Sequence, residues 1–85
     1  MFSKNFMVII PDSNGESQVL PLKVSHKSSK ALDPDVVQDL CNVGIASWRK
    51  SDNSEEREDA IKSVLHESGY EVSVIVGEYT VITTN

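Results

Sequence analysis

The chain has 85 residues, a net charge of −5 and a single cysteine, Cys41. That length makes one domain spanning residues 1–85, and a lone cysteine excludes an internal disulfide, so packing alone must hold the fold. The acidity is concentrated: residues 51–85 carry −6 and residues 1–50 carry +1, a balance that repels nucleic-acid phosphates unless a local basic patch overrides it.

The first apolar run, Phe6 to Ile10, is too short for a signal-peptide core and lacks a small-residue cleavage site. No stretch approaches the roughly 20 apolar residues of a membrane span. The expectation is therefore a cytoplasmic chain with no membrane contact. Asn5 to Ile10 reads as a first strand, and Pro11, Asp12, Asn14 and Gly15 as the turn after it. Ser17 to Ser25 reads as a second strand with Leu20, Leu22 and Val24 on one face, paired antiparallel with the first. Pro21 cannot donate a ladder hydrogen bond, which places the second strand at the sheet edge and the first in the centre.

His26 to Leu32 is polar and basic and serves as a connection. Asp33-Pro34 is a helix start, with a capping carboxylate and a proline where the missing N–H costs nothing. Val37, Leu40, Cys41, Gly44, Ile45 and Trp48 follow at helical spacing, and the pattern predicts a helix over Pro34–Lys50 with Trp48 partly buried against the sheet. Gly44 is expected to let the second helix approach closely. After a break at Ser51–Ser54, Glu55, Glu56, Glu58 and Asp59 crowd the start of that helix, whose apolar stripe is Ala60, Ile61, Val64 and Leu65. Ser68-Gly69 ends it, with Gly69 as a left-handed cap.

Glu71 to Thr84 is rich in Val, Ile, Tyr and Thr and reads as two strands around a type II′ turn at Gly77-Glu78. In that register Val72, Val74, Val76, Tyr79 and Val81 share one face, and Ser73, Ile75, Thr80 and Ile82 the other. The predicted fold is α+β: a two-layer sandwich in the order β-β-α-α-β-β, with a four-stranded antiparallel sheet and both helices on one face.

Two surfaces stand out. If one sheet face packs the helices, the other carries Met7, Ile9, Val19, Ile75 and Ile82. Apolar patches of that kind mark interaction sites, and a symmetric homodimer is the simplest cover. The run Glu55, Glu56, Glu58, Asp59 reads first as a helix start complementing the dipole, and second as an acidic face for a basic protein partner.

Chemistry is sparse. Cys41 lies on an apolar stripe, where cysteine behaves as a small hydrophobe. His26 and His66 with Cys41 do not make a zinc-ligand spacing, and no glycine-rich loop cradles a phosphate. No catalytic, cofactor-binding or metal residue is assigned. The expected function is that of a small non-enzymatic protein-interaction module, of the accessory or inhibitor kind. One alternative is nucleic-acid binding through Lys23, His26, Lys27 and Lys30; another is an enzyme with its site at a dimer seam.

Overall fold

The computed structural model describes residues 1–12, 15–51, 55–75 and 77–85. The expected turn residue Asn14, the break at 52–54 and the pairing of Val76 fall outside these residues.

Strands β1 (Phe2–Pro11) and β2 (Ser17–His26) form an antiparallel ribbon, in register from Phe2 opposite His26 to Pro11 opposite Ser17. The ribbon runs past the apolar stretch because polar residues pair there too: Ser3 faces Ser25, their hydroxyls 2.8 Å apart. Side chains alternate across a strand. Phe6, Val8 and Ile10 of β1 and Leu20, Leu22 and Val24 of β2 therefore share one face, and all six are buried.

A short 3-10 turn, Ser29–Leu32, leads to α1 (Pro34–Lys50), whose limits are those the sequence predicts. The Asp33 carboxylate accepts the Asp35 N–H at 2.9 Å, and Arg49 and Lys50 lie in the last turn. Helix α2 (Arg57–Glu67) ends in Gly69, at φ +89°. α1 buries Val37, Cys41 and Ile45, and α2 buries Ile61 and Leu65, against the same sheet face. Gly44 is the contact point between the helices: a Cβ there would stand 2.8 Å from Ile61 Cα. Tyr70, after α2, is buried; its hydroxyl donates to the Ala31 carbonyl and its ring packs on His26, centroids 4.7 Å apart.

The C-terminal stretch departs from the expected hairpin. β3 (Glu71–Ser73) and β4 (Thr80–Thr83) lie at opposite edges of a four-stranded sheet of order β3-β2-β1-β4. β3 pairs antiparallel with β2, but β4 pairs parallel with β1, so the sheet is mixed rather than wholly antiparallel. Gly77 does take a positive φ, +88°, yet the chain there turns across the sheet instead of back on itself. The first ribbon leaves two bare edges, and each C-terminal strand satisfies one of them. The split also brings two apolar side chains toward the helices: Val72 opposite Val24, and Ile82 opposite Val8. β1 is interior as expected. β2 is not the sheet edge that Pro21 predicts: it lies between β3 and β1, though β3 pairs only with Lys23–Ser25 and no described strand pairs beside Pro21.

Candidate interaction surfaces

The face of the sheet away from the helices is built by the odd-numbered residues of β1 and β2. Register places Val19, Ile9 and Thr83 in one row across β2, β1 and β4, and Pro21, Met7 and Val81 in the next. Val19 and Val81 are 52% and 54% exposed, while Met7 and Ile9 are half-buried. Neither row carries a charge. The third row holds Lys23 and Asn5, and the Asn5 amide donates to the Glu78 carbonyl at 3.0 Å. Glu78, just before β4, therefore lies at the level of Asn5 on this face.

Met7, Ile9 and Val19 come together as the sequence predicts. Ile82 does not join them: it is 4% exposed and turned into the core. Its place belongs to Val81, opposite Met7. A parallel partner at the register Val8–Ile82 inverts the faces assigned by a hairpin. Ile75 is half-buried beside Pro21 and Val74 at the far edge.

At the start of α2, Glu55 and Glu56 precede the helix, and Glu58 and Asp59 occupy its first turn. Glu55, Glu56 and Asp59 are exposed and Glu58 is half-buried. Trp48 organises this entry: its Nε1–H donates to the Glu55 carbonyl at 2.7 Å, and the Arg57 guanidinium lies 5.3 Å from its ring centroid. Arg57 also reaches Asp12 at 3.7 Å. Trp48 thus ties α1 to the segment entering α2, where the sequence placed it against the sheet.

The basic residues are divided. Lys23 is on the open face, and Lys27 and Lys30 are exposed on the connection to α1. His26 has the opposite parity and is engaged on both nitrogens. Its Nδ1 accepts the Ser28 N–H at 3.0 Å, so Nε2 carries the proton and donates to the Ser68 carbonyl at 3.3 Å. Cys41 is fully buried, and burial pushes its thiol up to about 12, far from the thiolate a nucleophile needs. His66 is exposed on α2.

One feature had only an indirect signal in the sequence, Pro21. Among the described residues, no strand pairs with the outer edge of β2 from Ser17 to Leu22. Where β3 leaves that edge, a cavity of about 400 Å³ opens, lined by Pro21, Leu22, Val72, Val74, Ile75 and Lys62. Lys62 also borders a second cavity along α2, with Asp59, Ser63 and His66.

Among the described residues no cluster of His, Cys, Asp or Glu is placed to hold a metal ion, and no helix is long and apolar enough to cross a membrane. No protein-family model matches the chain, and neither a curated protein nor a solved structure is significantly similar to it.

Proposed function

We propose that this chain is a small, non-enzymatic protein-interaction module that self-associates through the open face of its sheet. The observation that carries the reading is the pair of uncharged rows, Val19–Ile9–Thr83 and Pro21–Met7–Val81, on the face without helices. A second copy related by a two-fold axis meets such a surface with its own equivalent, and no charge has to be desolvated at the centre. Strand and residue spacings give the two rows an area of about 200 Å², against about 800 Å² per partner in a stable complex. The association is therefore weak and draws its remaining contact from the polar margin. In the same reading, the exposed carboxylates of Glu55, Glu56 and Asp59 are what a basic protein partner meets, and salt weakens that encounter.

Sedimentation equilibrium over a wide concentration range tests the proposal. The expected result is a monomer–dimer equilibrium that vanishes in the double variant Val19→Lys, Val81→Lys. Both side chains are more than half exposed, so the variant keeps its fold and its circular dichroism. A wild-type chain that stays monomeric at millimolar concentration sinks the reading.

A further inference from the structure

We propose that the bare outer edge of β2 and the cavity beside it take an extended segment of another protein as an added strand, lying end to end with β3. The surface adjoins the sheet face above, sharing Pro21 with it, and three observations meet there. The first is backbone geometry: β3 pairs with Lys23–Ser25, and among the described residues no strand pairs with the outward N–H and C=O groups from Ser17 to Leu22. A strand edge of this kind is a template for an incoming extended chain. Pro21 withholds one donor, and its carbonyl still accepts. The second is a cavity of about 400 Å³ where β3 ends, with Leu22, Val72, Val74 and Ile75 on its walls. That volume is within the range of ligand-binding clefts, roughly 300–1,000 Å³, and its lining suits a large apolar side chain. The third is charge: Lys62 is the only charged residue of that lining and makes no ion pair among the described residues. The partner is thus an extended peptide with a bulky apolar residue and, two positions away on the same face, a carboxylate.

A second copy of this chain is the worse occupant. Pairing β2 with its own equivalent about a two-fold axis would align the two β2 edges antiparallel. The segment it would offer, Ser17–Leu22, holds no carboxylate to meet Lys62, and its own Pro21 withholds a second donor from the ladder.

The test is a nuclear magnetic resonance titration of the full-length, ¹⁵N-labelled chain. The probe is a synthetic seven-residue peptide of alternating threonine and valine, with a central phenylalanine and a glutamate two residues after it. Amide shifts are expected along Ser17–Leu22 and Val72–Ile75. Lys62→Glu should weaken this peptide about two- to fivefold and favour the version with lysine in place of glutamate. The same peptide N-methylated at alternate amides should not bind, because it cannot complete the ladder. Three outcomes overturn the proposal: no shifts at millimolar peptide, shifts confined to Met7, Ile9 and Val81, or equal binding of the N-methylated peptide. Shifts along Ser17–Leu22 that appear on raising protein concentration without peptide also overturn it, since the edge would then belong to a second copy.

Discussion

Cys41 and Gly44 are one turn apart on α1 and are held in place for different reasons. The Cys41 thiol stays protonated in the fold up to about 12, whereas its ordinary value is 9.0. Above pH 9 the unfolded chain sheds this proton first, so rising pH favours unfolding. Stability is therefore unaffected by this group below about pH 9 and falls by at most about 1.4 kcal/mol per unit from there toward pH 12. Burial raises the Tyr70 hydroxyl as well, with the Cys41 charge adding to it, in the same direction. Denaturant titrations at stepped alkaline pH check this, and Cys41→Ala should flatten the slope. A slope unchanged in that variant would assign the effect elsewhere. At Gly44 the competing terms are helix propensity, which favours alanine by about 1 kcal/mol, and space. The new Cβ would lie 2.8 Å from Ile61 Cα and 3.2 Å from the Ala60 carbonyl oxygen, where carbon atoms prefer about 3.5–4.0 Å. Both obstacles are backbone, so α2 must back away as a unit and unpack Ile61. Gly44→Ala is expected to lose about 1–2 kcal/mol net in urea denaturation; a gain would mean that the helices are free to separate.

At the scale of elements, α1 shows what local sequence can specify. Its start is fixed by Asp33, whose carboxylate holds the Asp35 N–H, and by Pro34 at the first position. Asp33→Ala should cost about 1 kcal/mol in thermal or chemical unfolding, and Asp33→Asn much less, because an amide oxygen also caps. An equal loss in both variants would show that charge against the dipole, rather than the hydrogen bond, sets the energy. The same local logic reads the β1–β2 ribbon and the Gly69 cap, because each signal lies within a few residues of its effect. β3 and β4 were not legible in that way. Their composition marks them as strands, which holds, and Gly77 as a hairpin turn, of which only the positive φ holds. What alternation cannot specify is the neighbour. A segment of Val, Ile and Thr pairs as well with a bare edge 46 to 74 residues distant as with its own continuation. The choice of β1 as parallel partner for β4 moved Ile82 into the core and Val81 to the surface. The open face was thus partly readable, through Met7, Ile9 and Val19 on a strand pair set by a local loop. The edge groove was readable only as Pro21.

The arrangement of the whole sheet decides how it opens. β1 is flanked by β2 along its length and by β4 along Phe6–Ile9, so the middle of β1 is paired on both sides. β3 holds to β2 by three residues only. β4 is fastened further by side chains from α1: the Gln38 amide donates to the Thr83 carbonyl at 2.8 Å, and Asn42 accepts the Asn85 N–H at 2.9 Å. Local opening draws on the segments with fewest buried contacts, so native-state amide exchange should rank the strands. Phe6–Ile9 should exchange only through global unfolding, β4 more easily, and β3 most easily of all. β3 and β4 should also exchange independently, because opening one edge leaves the other intact. This separates the observed topology from a C-terminal hairpin, whose two strands protect each other and exchange as one unit. A common opening free energy for Glu71–Ser73 and Thr80–Thr83 would contradict the mixed sheet. Distinct values, with β3 the lower, place the most easily opened strand beside the bare Ser17–Leu22 edge, where an incoming segment has least to displace.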